Sequence, residues 1–375
     1  MLRPTYAKID LRALGANLQT VRNHLPQGCG IVAMVKADAY GHGAVPVAKK
    51  LATLGVTAFG VATVEEGLEL RTSSITQPIL VMGGLLGVGT PAIIMMLEAR
   101  LTAVIHSAQV VDALEEAARR SKQRIAVHLK IDTGMGRLGV LPQVLPLVLE
   151  RVKQCQWLTL EGVMTHLALA TDQEYTSQQT GQFQGVVDLV EKTLNTKVIR
   201  HIANSTASLR QGSVPFGEQS QWWARPGIAL YGSTGGAVPE VQLSPVMSLV
   251  SRVALIKWIP PGARVSYAGI FTATRKTRLG VVPIGYADGY PWRLTGKAHV
   301  IVRGIDVPVI GRITMDMMML DLTDVDGASV GDEVILMGRD GEKEVSVDQI
   351  AQWAETIPYE ILCGISKRMP RVYQE

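Results

Sequence analysis

The chain has 375 residues, 47% hydrophobic and 19% charged, enough for one large domain or two moderate ones with a substantial core. Its 37 basic and 33 acidic residues leave a formal charge of +4 with no Lys/Arg block, which argues against a nucleic-acid partner. Cys29, Cys155 and Cys363 lie far apart without a CxxC pair, so neither a disulfide framework nor a zinc site is expected.

The N-terminus, MLRPTYAKIDLRAL, meets charge at once and lacks the apolar core of an export signal, so a cytoplasmic location is expected. PTYAKI reads as a strand whose partner the sequence does not reveal, and Asp10 reads as the cap of a helix beginning LRALGANL. Short apolar runs then recur as candidate strands: GIVAMV from residue 30, AFGVA at 58, ILVM at 79, LTAVI at 101, IAVHLKI at 125, LEGVM at 160, KVIRHIA at 197 and PGIALYG at 226. Stretches with helical spacing separate most of them, among them residues 108–121 and the run from Gln182 to Leu194.

Alternating strands and helices imply parallel strands joined by crossovers. Eight such units match a (β/α)8 TIM-type barrel, with a doubly wound open sheet as the competing arrangement. One uncharged segment, Pro78 to Leu97, is long enough to cross a bilayer. Four glycines and Pro91 divide it into a strand, a loop and a helix start, so no membrane span is expected.

Beyond about residue 240 the pattern becomes short β runs separated by PPGA, DVDGA and GRDGE turns. The expected organisation is a barrel over 11–240 and a C-terminal, mostly-β domain over 241–375, to which residues 1–10 are free to add a strand.

Reactive groups cluster just past the strands. Lys36 and Tyr40 follow the first, Lys130, Asp132 and Arg137 surround the fifth, and His166 follows the sixth. Asn204 and Ser205 follow the seventh, and Arg225 enters the eighth. Taken singly, His166 reads as a structural histidine and Arg137 as a surface cation; their convergence on one barrel mouth changes that balance. A lysine among apolar walls and cations has its ammonium form disfavoured, which frees the amine to attack a carbonyl as a Schiff-base lysine does. Pyridoxal phosphate is the usual cofactor of such a lysine, and IANSTASL and RPGIALYG offer backbone amides for its phosphate. An ordinary helix cap and a tight turn would account for these two segments equally well.

RPTYAKIDL, MVKADAYGHG, HLKIDTGMGRLG, MTHLA, IANSTASL, RPGIALYG, VSYAGIF, IGYADGY and GRITMDMMMLD, in this order over nearly the whole chain, together resemble the alanine racemase family of fold-type III pyridoxal phosphate enzymes. The resemblance implies a pyridoxal 5'-phosphate enzyme that racemises alanine, supplying D-alanine for peptidoglycan, as a head-to-tail homodimer with shared active sites. It makes Lys36 the Schiff-base lysine and Tyr267 the opposing base, reaching in from the partner. Tyr40, Asn204, Ser205, Gly227 and Ile228 become cofactor-binding positions. Arg225 would face the pyridine nitrogen, with His166 linking it to the tyrosine. Arg137, Met315 and Asp316 match substrate-binding positions, the last two from the partner, and Lys130 matches a position that can be carbamylated to hold Arg137.

Racemisation removes a proton from one face and returns one to the other, so two bases on opposite faces suit it. The chain departs from the pattern at Lys367, where some members of the family carry a tyrosine that helps grip the phosphate and narrow the entrance; substrate discrimination is open on that account. The competing readings are a racemase of broader specificity for serine or basic amino acids, a related decarboxylase, and a barrel that binds pyridoxal phosphate without catalysis.

Overall fold

The computed structural model describes residues 3–85, 89–210, 212, 214 and 221–375. Eight parallel strands form a nearly closed barrel: Gly30–Met34, Ala58–Val61, Ile79–Val81, Thr102–Ile105, Ile125–Lys130, Leu158–Met164, Ile199–His201 and Trp223–Ala224. The first pairs with the eighth through Gly30↔Trp223 and Ile31↔Ala224, and a single bridge, Arg200↔Trp222, joins the seventh to the eighth. Such strands are covered on both faces, by helices outside and packed side chains inside, so they read as apolar runs without alternation. Ala58–Val61 and Ile79–Val81 are buried throughout.

Two sequence expectations are corrected here. PGIALYG is not the eighth strand: Ile228–Tyr231 is a short 3-10 helix, and the strand is Trp223–Ala224 just before it. Arg225 therefore leaves the eighth strand instead of entering it, which puts it at a carboxyl end like the other mouth residues. The helix expected from Gln182 begins earlier and spans Gln173–Leu194; Thr176, Gln179 and Thr180 are buried polar residues that hide its apolar stripe.

The apolar segment from Pro78 resolves into the strand Ile79–Val81 and the helix Thr90–Glu98, with residues 86–88 outside the described residues. Among the described residues, no helix is long and apolar enough to cross a membrane.

Strand Tyr6–Asp10 finds its partners in the C-terminal domain, antiparallel to Met247–Arg252 and parallel to Arg371–Gln374 within a ten-stranded sheet. Asp10 caps the helix Leu11–His24, its Oδ1 accepting from the N–H groups of Arg12 at 2.8 Å and Ala13 at 3.0 Å. Leu11, Leu14, Leu18 and Val21 form the buried stripe of that helix. Asn17, also buried, donates to the carbonyls of Leu230 and Ser244 and accepts from the Ser244 N–H, tying the helix to the segment that connects barrel and β domain. The C-terminal domain also carries two helices, Val347–Ala354 and Pro358–Gly364; the second packs on the residues that follow Lys36.

Candidate active site

Lys36 opens a turn with unusual backbone geometry: Ala37, Asp38, Ala39 and Tyr40 all have φ between 52° and 54°. Left-handed helical conformation costs an L-residue about 1–2 kcal/mol, so the surroundings must over-determine this run. They do so with directed bonds. Glu66 accepts from the Ala37 N–H at 2.7 Å with one carboxylate oxygen and from the Ala62 N–H at 2.6 Å with the other. Asp38 accepts from the Ala44 N–H at 2.7 Å, and His42 Nδ1–H donates to the carbonyls of Ala39 and Tyr40 at 3.0 and 2.9 Å. Arg371 donates to the Gly41 carbonyl through Nε and Nη2, and to the carbonyls of Ile365, Ser366 and Met369, fastening the chain after the last helix onto this turn.

His42 is fully buried, and burial lowers its pKa to about 4 despite its carbonyl partners. The unfolded chain therefore binds one more proton than the folded chain between about pH 6.5 and 4, and stability falls as pH falls through that window. The share of this one group is about 3 kcal/mol. Thermal melts should show His42→Asn, which keeps a donor in place without titrating, losing that part of the acid sensitivity.

Cations crowd the mouth. The Lys36 ammonium is disfavoured by burial and by Arg137, with Glu66 opposing. Lys130 is lowered to about 8 by burial, Arg137 and Arg225, and His166 to about 3 by burial and the same cations. Arg225 is 3% exposed and lowered to about 9 by burial alone, so it stays charged at neutral pH. It donates to the carbonyls of His201 at 2.5 Å and Thr165 at 2.6 Å, and its Nη2 lies 3.4 Å from His166 Nδ1. A neutral His166 accepting there carries its proton on Nε2.

Asp132 holds the Arg137 loop. Burial pushes its carboxyl up, but the N–H groups of Gly134, Met135, Gly136 and Arg137 all donate to it and bring it below the ordinary range.

Asn204, Ser205, Gly227, Ile228 and Tyr40 meet on the other side of the mouth. Asn204 accepts from the Ala207 N–H at 3.0 Å, while Ser205 Oγ accepts from the N–H groups of Gly227 at 2.8 Å and Ala229 at 3.3 Å. A Cβ on Gly227 would lie 2.3 Å from the Tyr40 hydroxyl oxygen, so only glycine lets the tyrosine sit there. The Tyr40 ring packs 4.9 Å from Tyr231, whose hydroxyl donates to the Met34 carbonyl at 2.9 Å.

Tyr267, Met315 and Asp316 are not part of this cluster. They project from the β domain, with Tyr267 71% and Met315 52% exposed. Among the described residues, no hydrogen bond or ring contact joins Tyr267 to the mouth of its own chain. Ser266, donating to the Arg312 carbonyl at 2.8 Å, brings the Tyr267 and Met315 loops side by side. Ile270, Tyr286, Trp292 and Met317 are exposed as well.

Lys367 is exposed beside Ser366, whose hydroxyl donates to Ala287. Among the described residues, no group of three His, Cys, Asp or Glu could hold a metal ion.

Several supporting residues escape sequence reasoning. His42 and Tyr231 stand inside MVKADAYGHG and RPGIALYG, so their motifs marked the region but not their roles. Glu66 and Arg371 act across long separations, for which spacing gives no signal. Tyr359 stacks near Tyr40 at 6.0 Å from a helix that was not anticipated.

The fold and site define a class of enzyme built as a (β/α)8 barrel continued by a β domain, with a lysine whose ammonium is disfavoured and a buried arginine at the barrel mouth. The family model for the N-terminal domain of alanine racemase matches residues 9–235, and that for its C-terminal domain matches residues 246–373. The chain belongs to the alanine racemase family.

It is 42% identical to alanine racemase of Geobacter sulfurreducens, covering 99% of this chain and 97% of that one, and 40% identical to that of Desulfovibrio desulfuricans, covering 100% and 99%. Among solved structures it resembles alanine racemase of Clostridium difficile, with a TM-score of 0.91, 36% identity and coverage of 100% and 97%. It also resembles that of Bacillus anthracis with bound L-Ala-P, with a TM-score of 0.91, 33% identity and coverage of 100% and 96%.

Proposed function

We propose that this chain interconverts L-alanine and D-alanine with pyridoxal phosphate as cofactor, in a homodimer whose two sites each draw on both chains, and that the product D-alanine serves peptidoglycan synthesis. One observation carries the reading: the mouth holds a destabilised ammonium, Lys36, while Tyr267, the candidate second base, stands exposed on the β domain with no hydrogen bond or ring contact to its own mouth among the described residues.

The residues at the mouth fit the cofactor. The missing Cβ at Gly227 lets the Tyr40 hydroxyl approach the backbone there, and Tyr40, Ser205 and the backbone at Gly227 and Ile228 line one wall for a phosphate. Asn204 orders the short helix beside them. Lys36 would hold the cofactor's carbonyl carbon, and Arg225 would face its ring nitrogen. Bound there, pyridoxal phosphate supplies the conjugated acceptor through which an amino acid can lose its α-proton.

Lys36 Nζ takes or gives that proton on one face, and the partner's Tyr267 hydroxyl does so on the other. An ordinary phenol near pKa 10 is a weak base at neutral pH, so Tyr267 needs a neighbour that favours the phenolate. Arg225 and His166 supply one: the guanidinium polarises His166 at Nδ1, leaving Nε2–H to donate to the incoming phenolate. A charged arginine at a ring nitrogen also disfavours its protonation and weakens electron withdrawal, favouring proton return over transamination.

Lys130, lowered to about 8, keeps a fraction of free amine at neutral pH. That amine can add carbon dioxide and release a proton, giving a carbamate to hold Arg137. Arg137, Met315 and Asp316 would hold the substrate.

The test is exchange in heavy water. Protein loaded with cofactor and given L-alanine should place deuterium at the α-carbon and form D-alanine, with serine, lysine and arginine turned over more slowly. Bound cofactor without exchange would leave a binding protein. Equal turnover of all four amino acids would leave a racemase of broad specificity.

A further inference from the structure

Four charges alternate from the interior of the β domain to its exposed edge. Asp288 is fully buried and takes a bidentate grip from Arg3, at 2.5 and 2.6 Å. Its Oδ2 also accepts from the Gly285 N–H at 3.1 Å, and Arg3 donates to the Pro283 carbonyl at 2.8 Å. Arg368 Nε lies 3.6 Å from the same carboxylate, and Arg368 Nη2 donates to Asp316 Oδ1 at 2.8 Å.

The backbone beneath is locked: Tyr286 and Ala287 donate to the carbonyls of Thr314 and Met315, and a Cβ on Gly285 would meet the Thr314 oxygen at 2.1 Å. Ser366, two residues before Arg368, adds bonds to the carbonyls of Asp288 and Ala287.

In the single chain the pair Arg368–Asp316 is half exposed on both sides, and an ion pair so exposed contributes little to the stability of that chain. What the network does is fix a position and cancel a charge. Two guanidinium groups face two carboxylates, and Asp316 offers no free anion beside Met315.

A lysine or arginine substrate brings a cationic side chain that would be drawn to an unpaired carboxylate at that wall. Alanine brings none. We propose that Arg368 is a specificity-determining positioning residue: by occupying the Asp316 carboxylate it denies basic amino acids the counter-ion they need. The inference rests on the reading of Asp316 as part of the partner's substrate pocket.

The test uses the cofactor-loaded dimer with Arg368→Met, which keeps the length and bulk of the side chain but removes its charge. The ratio of kcat/KM for lysine over alanine should rise about tenfold, return in the Arg368→Met, Asp316→Asn double variant, and stay near wild type in Arg368→Lys. Ethylguanidinium, which has no primary amine to react, gives a readout independent of turnover. By saturation-transfer NMR its binding should tighten about tenfold in Arg368→Met and weaken again in the double variant.

A parallel loss for lysine and alanine would make Arg368 structural only and overturn the proposal, as would unchanged ethylguanidinium binding. Wild-type protein inert toward alanine would overturn the functional reading instead, while the ethylguanidinium comparison still decides the role of Arg368.

Discussion

Tyr267→Phe should lower kcat for alanine by about 10³-fold in both directions, the scale of a lost general acid–base group. The hydroxyl is all that this change removes. The side chain is 71% exposed in its own chain, so folding and cofactor loading should be unaffected. Lys36 remains able to exchange a proton on its own face, and one enantiomer should still wash its α-proton out into heavy water slowly without inverting. Cofactor absorbance like that of wild type, together with lost inversion, is the expected pair of results. Turnover within a few-fold of wild type would remove Tyr267 from the reaction.

Lys36→Ala should cost more, at least about 10⁴-fold, because one residue is asked both to hold the cofactor and to move a proton. The shift in its acidity comes from burial first and Arg137 second, so the site disfavours the ammonium form. Methylamine added to Lys36→Ala should restore a measurable part of the activity by standing in for the missing amine, and should do nothing for Tyr267→Phe. Rescue of both variants, or of neither, would show that the two residues do not divide the work as described.

The sequence carried most of the barrel because strands buried on both faces are apolar throughout, and the mouth because its polar groups stand where those runs stop. Legibility failed where local composition and tertiary context disagree. PGIALYG is as apolar as any barrel strand, yet Pro226 removes a donor and Gly227, at φ −117° and ψ −95°, leaves the extended region, so the segment folds as a 3-10 turn. The left-handed run after Lys36 gives no warning in its residue types, since Ala, Asp and Tyr do not mark positive φ as glycine does. Glu66, His42 and Arg371 hold that run in place, and only the folded chain shows them doing so.

In the candidate site, Lys36, Lys130, Arg137, His166 and Arg225 could be gathered by strand order alone. Why Tyr267, Met315 and Asp316 stand away from them could not be read from strand order, because it depends on where the β domain points. The pairing of Asp288 with Arg3 was equally hidden: 285 residues separate the partners.

The shared site is tested most directly by mixing two inactive proteins. Lys36→Ala chains keep Tyr267, and Tyr267→Phe chains keep Lys36, so a hybrid dimer rebuilds one complete site and one doubly damaged site. Unfolding and refolding an equimolar mixture should restore about a quarter of wild-type activity, since half the dimers are hybrids with one working site in two. If hybrid dimers form, as a size tag on one chain would show, and the mixture stays as inactive as its components, lysine and tyrosine do not meet across the two chains.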